Sequence, residues 1–259
     1  MIRRLLLLFL LVFINCSLAL LTAQTDIMIT GNETITLDVV GGVNTTYNII
    51  MPDNCKAKVT YEAWGGGGSG GEQKLNAVGG GGSGAYINCS TAIDLDCGVT
   101  YAVTVGAGGD PTGPDAGGNT IVNFGTLTTA AGGAAGNGND GGAGGIATGC
   151  DVATDGNDGS GRATGRIGGV GGNAPNGGVG GAGGLEFPLD ANGVDGVTPG
   201  GGGGGHGRGE TTTSSLSGRG GDGRIILVIT DYVCNIRASD APFIICDTCL
   251  LYTSPSPRD

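Results

Sequence analysis

Residues 168–184 read GGVGGNAPNGGVGGAGG. Taken in threes from Gly168, every triplet opens with two glycines except Ala174-Pro175-Asn176, which has the composition of a turn. The same phase reaches upstream through Gly156, Gly159 and Gly165. A period of three is that of the polyproline-II helix, with about 3 residues per turn and a rise of about 3.1 Å per residue. Glycine on two of its three edges lets neighbouring backbones come close, so that their N–H and C=O groups can pair between rods. Weak Cα–H···O contacts add support. The third edge carries Val170, Asn173, Val179 and Ala182. The pattern predicts a polyglycine-II bundle, with reversals at 174–177, 192–193 and 195–196.

Composition weighs the rivals. Glycine supplies 59 of 259 residues, far above an ordinary share of about 7%. A collagen helix does not fit, because adjacent glycines recur and the chain has only 9 prolines. A disordered linker remains an alternative on composition alone. Against it stand a charged fraction of 14% and a mean hydropathy of +0.13, since disordered chains are usually highly charged and poor in apolar residues. The Gly, Asn and Asp stretches 136–141 and 155–159 resemble calcium-binding loops only superficially. They lack the nine-residue repeat with a large apolar residue in each unit.

Around this material lie strand signals. Segments 27–30, 34–40, 47–51, 56–64, 85–93, 100–105, 120–124, 126–131 and 224–230 are rich in branched or alternating apolar residues. No stretch carries a helical period. Residues 1–23 read as a secretory signal: Arg3 and Arg4, an apolar run over 5–14, and candidate cleavage after Ala19 or, preferred, Ala23. That run is too short to span a bilayer, so the mature chain is expected to be extracellular with no membrane span. Losing Arg3 and Arg4 with the leader leaves ten basic residues against 23 acidic ones, a net of −13. Such a chain repels phosphate backbones, which argues against nucleic acid as a partner. Three sequons, at Asn32, Asn44 and Asn88, are candidate glycosylation sites.

Chemistry is harder to find. The single histidine, His206, follows a run of glycines and is expected as an exposed loop residue. No catalytic motif accompanies it. Asp94 and Asp96 fit a turn better than a pair of acids facing across a cleft. Trp64 and Tyr61 are expected to anchor the core. The chain therefore reads as a non-enzyme without cofactor or metal.

The segments Glu62-Ala63-Trp64-Gly65-Gly66-Gly67-Gly68, Tyr101-Ala102-Val103-Thr104-Val105-Gly106, Ala130-Ala131-Gly132-Gly133 and Gly220-Gly221-Asp222-Gly223-Arg224-Ile225-Ile226 occur in the order seen in glycine-rich domains. Over about residues 45–230 the chain resembles that family, which includes phage tail-fibre adhesins and, more distantly, the extracellular region of anaplastic lymphoma kinase-type receptors. The resemblance implies a mainly β fold, a jelly-roll-like β-sandwich with an inserted polyglycine-II helix bundle. Together with the leader (1–23) read above, it divides the chain into an N-terminal extended segment (24–44) and a first part of the sandwich (45–131). A glycine insertion (132–221), a closing strand (222–235) and a C-terminal tail (236–259) follow. Its placing of the first and last core strands together suggests a Cys55–Cys234 disulfide. Cys89 and Cys97 flank a short connection and are expected to pair, which leaves Cys150 for Cys246. The last ten residues continue no earlier pattern and resemble adaptor sequence read as coding. If the foreign part begins near Cys249, six native cysteines remain; otherwise Cys246 and Cys249 form an isolated CxxC.

The leading expectation is a secreted structural protein, a rigid subunit of an extracellular filament or surface coat. It would self-assemble by strand addition through residues 24–40, from Gln24 to Val40. The alternative is an adhesin or a module that binds glycans or surfaces, against which stands the near absence of aromatics, Phe187 excepted, from the glycine loops. Ice binding is a third reading. Thr211, Thr212 and Thr213 make too short a face for it, and Asp158, Arg162 and Arg166 would interrupt one.

Overall fold

Strict alternation builds the centre of the molecule. In Cys55–Trp64 the odd positions Cys55, Ala57, Val59, Tyr61 and Ala63 are buried, while Lys56 and Lys58 are exposed. In Arg224–Cys234 the inward set is Ile225, Leu227 and Ile229. A period of two places one apolar face per strand, and two such faces must meet to leave water. A computed structural model describes residues 24–72, 76–113, 115–163, 166–186, 191–208 and 216–234, and all regular structure among them is β.

Eleven strands run in order: β1 (Gln24–Met28), β2 (Glu33–Asp38), β3 (Thr45–Ile50), β4 (Cys55–Trp64), β5 (Tyr86–Leu95), β6 (Thr100–Val105), β7 (Thr120–Asn123), β8 (Leu127–Ala130), β9 (Ala147–Thr148), β10 (Val152–Thr154) and β11 (Arg224–Cys234). They form a six-stranded sheet ordered β1-β3-β6-β7-β8-β9 and a five-stranded sheet ordered β10-β5-β4-β11-β2. One apolar cluster takes residues from both, including Ile49 and Val103 of the first and Val59, Ile87 and Leu227 of the second. The arrangement is β-sandwich-like. Between the sheets the buried Tyr61 and Thr128 hydroxyls share a 2.7 Å hydrogen bond, and Tyr61 meets Phe124 edge to face. Burial pushes the Tyr61 hydroxyl pKa up, and the Thr128 bond opposes that shift.

Residues 24–40 supply β1 and β2, the strands at one edge of each sheet. β1 runs parallel to β3, and β2 antiparallel to β11. The short strands β9 and β10 fall inside a stretch read from sequence as glycine insertion. Their two and three residues are too few to register as a periodic signal.

The disulfides correct two expectations. Cys55–Cys234 is present, on the directly paired ends of β4 and β11. Cys89 bonds Cys150 and not Cys97, which is a free thiol. Cys89 pairs with Tyr61 and Leu95 with Ala57. Four residues of strand between those levels amount to about 13 Å, beyond the roughly 7 Å that a bridge can span. β10 lies against β5 with Val152 opposite Asn88, which brings the Cα of Cys150 within 4.8 Å of that of Cys89. Cys150 is therefore not available to Cys246, which lies outside the described residues, as does Cys249.

Candidate functional site: the glycine layer and its edges

The glycine segments pack on the ends of the sheets as a solid body of their own, held by backbone hydrogen bonds in steps of three. In segment 65–71, Gly65, Gly68 and Gly71 donate to Ala85, Gly82 and Gly79 of one neighbour. Gly66 and Ser69 donate to Gly118 and Asp115 of a second, and Gly67 and Gly70 to Gly221 and Gly218 of a third. Three further segments donate back, through Gly109, Gly133 and Gly203. Segment 79–85 repeats the scheme: its N–H groups reach segment 157–160 through Gly80 and Ser83, segment 200–203 through Gly81 and Gly84, and segment 131–134 through Gly82 and Ala85.

At the glycine positions of this interior, distance leaves no room for a side chain. A Cβ built on Gly67 would lie 2.0 Å from the Gly201 carbonyl oxygen, and one on Gly82 2.0 Å from that of Ala143. Real Cβ atoms do not come so close to a backbone oxygen. The high glycine content thus follows from the close approach of paired backbones.

Where a segment lacks a neighbour, an Asx side chain takes its place. Asp158 Oδ1 accepts from Gly144 N–H, Asp222 Oδ1 from Gly108 and Asn44 Oδ1 from Ala107, each at 2.8 Å. Asp195 Oδ1 accepts from Arg219 N–H at 2.7 Å. Sequence reasoning placed Asp158 in a superficial calcium loop, Asp195 in a turn and Asn44 in a sequon, and gave Asp222 only as part of a glycine-rich motif. Their role is to satisfy edge amides, and for Asp158, Asp195 and Asp222 the available signal was an Asp directly before a glycine. Among the described residues, no group of three or more His, Cys, Asp or Glu is placed to share a metal.

His206 corrects a further expectation. It is buried, with only 4% of its surface exposed. Its N–H donates to Ser217 Oγ, its carbonyl accepts from Val78 N–H, and its ring Nδ1 lies 2.8 Å from the Gly207 carbonyl oxygen. Neighbours without side chains leave room for one ring among them. Trp64 and Tyr61 are buried, as expected. Asn32 is exposed, with its Oδ1 accepting from Tyr232 N–H at 2.9 Å. Asn44 is exposed and Asn88 half-buried. Asp94 is part of β5, and Asp96 stands in the turn that follows it. Phe187 and Thr211–213 lie outside the described residues.

Asp151 closes the corner between β9 and β10. Its carboxylate accepts from Thr91 N–H at 2.6 Å, Ser90 Oγ at 2.9 Å and Thr91 Oγ1 at 3.0 Å. These bonds, the Thr91 amide foremost, hold its pKa below the ordinary 3.8. On the outer face of the five-stranded sheet, Thr60, Glu62, Asn88, Ser90, Ile226 and Val228 line a shallow open groove.

With this geometry in view, the chain belongs to a recognised class: residues 42–230 match the model of the Glycine-rich domain family, and the chain is a member of it. That match covers the sandwich from the turn before β3 through most of β11, together with the whole glycine layer. A comparison with curated proteins gave no match. Two disulfides fit an oxidising, extracellular setting. Among the described residues, no helix is long and apolar enough to cross a membrane.

Proposed function

We propose that the chain is a secreted structural subunit of an extracellular filament or surface coat, a jelly-roll-like sandwich braced by polyglycine-II rods. The observation that carries this reading is the three-step hydrogen bonding, in which successive residues of one segment donate to three different neighbours. A body whose backbone groups are consumed on several sides at once resists bending and local unfolding. Assembly proceeds through residues 24–40. They hold one edge of each sheet, and most of β1 is exposed. The same pairing can be made to a neighbouring copy by strand exchange or addition. Glycans on Asn32, Asn44 and Asn88 decorate the outside.

The test is electron microscopy of the secreted protein with its light-scattering mass. Filaments are expected, and they should shorten when a peptide of residues 24–40 is added in excess. Deleting those residues should abolish them. Monodisperse monomers, or filaments indifferent to the peptide, overturn the reading. A second reading, an adhesin or glycan-binding module, draws support from the groove beside Asn88, which mixes polar and apolar lining. A glycan array showing specific hits would favour it.

A further inference from the structure

The chain holds three Asn-Gly pairs, at 137–138, 176–177 and 192–193. Such a pair can rearrange without an enzyme. The glycine amide nitrogen, with no side chain beside it, attacks the asparagine Cγ. A new C–N bond closes a five-membered imide, the Cγ–Nδ2 bond breaks, and Nδ2 leaves as ammonia with the amide's proton. Water then opens the imide at one of its two carbonyls, giving aspartate or isoaspartate. All three asparagines are exposed, so access to solvent does not separate them. Hydrogen bonding does. Gly193 N–H donates to the Leu216 carbonyl at 2.8 Å, and Asn192 Oδ1 accepts from Leu216 N–H at 2.9 Å. Nucleophile and target are thus both clamped to one residue. Gly177 N–H turns back to the Ala174 carbonyl at 3.2 Å, and the Asn176 side chain hydrogen-bonds the Tyr86 hydroxyl. Gly177 is also packed, since a Cβ built on it would lie 3.0 Å from Trp64 Cδ1.

The third pair stands differently. Ala131, Ala134 and Asn137 donate in turn to the carbonyls of Ile146, Ala143 and Asp140. Residues 131–146 are therefore a hairpin with rungs three residues apart, and Gly138-Asn139 is its tip. The Asn137 N–H and carbonyl are both bonded to Asp140, at 2.9 and 2.7 Å. Among the described residues, neither the Asn137 side chain nor the Gly138 N–H has a partner. We propose that Asn137 is a site of spontaneous modification in the folded protein. Through the imide with Gly138 it becomes isoaspartate or aspartate, while the packing of the glycine layer protects Asn176 and Asn192. The change gives an exposed tip one more negative charge. The extra backbone carbon of an isoaspartate falls between residues 137 and 138, in the tip and outside the rungs, so the ladder below it can persist. The assignment holds whether or not the protein polymerises.

The experiment ages the folded wild type in warm, mildly alkaline buffer and follows all three pairs by peptide mapping with mass spectrometry. Asparagine should be lost at 137 roughly tenfold or more faster than at 176 or 192, each of which must first release two hydrogen bonds. A parallel sample is aged in urea with a reductant, so that the chain is unfolded. There the three rates should converge, because the pairs share a sequence and differ only in how the fold holds them. Asn137→Gln should remove the fast isoaspartate signal from the folded protein and leave the rates at 176 and 192 as they were. Equal rates at the three pairs in the folded protein overturn the assignment. So does a lead for Asn137 that is as large in urea, since the fold would then not be its cause.

Discussion

The Trp64 indole N–H donates to the Pro175 carbonyl at 2.9 Å, joining residues 111 apart in sequence. Trp64 ends β4, and Pro175 sits in the reversal between two glycine segments. Tyr86, with its ring centroid 5.0 Å from that of Trp64, and Ala174 complete the cluster. This is the joint between the sandwich and the glycine layer. Trp64→Phe keeps most of the ring contact and removes the donor, at a cost of about 1 kcal/mol. Trp64→Ala adds a cavity, for about 3–5 kcal/mol. Urea midpoints report both. Proteolysis at 174–177 should accelerate in the alanine variant before the sandwich melts.

The glycine layer should discriminate sharply between glycines. Gly82→Ala sets a methyl against the Ala143 carbonyl, and the overpacked site should cost about 1–3 kcal/mol or more. Gly31 has no atom within 4 Å of the same position. Gly31→Ala should be neutral or stabilising by up to about 1 kcal/mol, through a less flexible unfolded chain. Equal melting temperatures for the two variants would contradict the close packing described above.

The alternation of Val59, Tyr61 and Ala63, and the apolar run over 224–230, made β4 and β11 legible in the sequence. The triplet phase put Val170, Asn173, Val179 and Ala182 on one edge, and all four are exposed. Sheet membership was not legible. β5 and β6 are separated by only residues 96–99 yet belong to different sheets, and alternation says nothing of which partner a strand takes. The Cys89–Cys97 expectation failed for that reason, since it assumed a hairpin where the chain crosses between sheets. His206 was misplaced because flanking glycines suggest exposure, whereas here they make a close-packed interior.

Cys150→Ser should cost about 4 kcal/mol, because the bridge to Cys89 closes a loop of 61 residues. It should also change glycan occupancy in secreting eukaryotic cells. The sequon Asn88-Cys89-Ser90 has its middle residue bonded to Cys150 and its hydroxyl donated to Asp151 at 2.9 Å. It is usable only before that corner closes. Glycopeptide mass spectrometry should find Asn88 more fully occupied in Cys150→Ser, with Asn32 unchanged.

Acid should loosen the same corner. Asp151 has its pKa lowered in the folded state, so its contribution is present above the ordinary 3.8 and is lost as pH falls through the depressed value. Asp110, held low chiefly by the Thr112 amide, acts in the same window. Melting temperatures of the wild type should fall more steeply below about pH 4 than those of Asp151→Asn. Parallel curves would remove Asp151 from the acid response.

The last strand among the described residues, β11, lies between β4 and β2 in the interior of its sheet. A ribosome therefore delivers both flanking strands, and most of the glycine material, before the piece that unites them. Ile229 must find Val59 across 170 residues, a separation that slows folding through loop closure. The five-stranded sheet therefore stays split into β10-β5-β4 and an unpaired β2 until β11 is made. Until then its apolar strands depend on whatever shelters them in the compartment of synthesis.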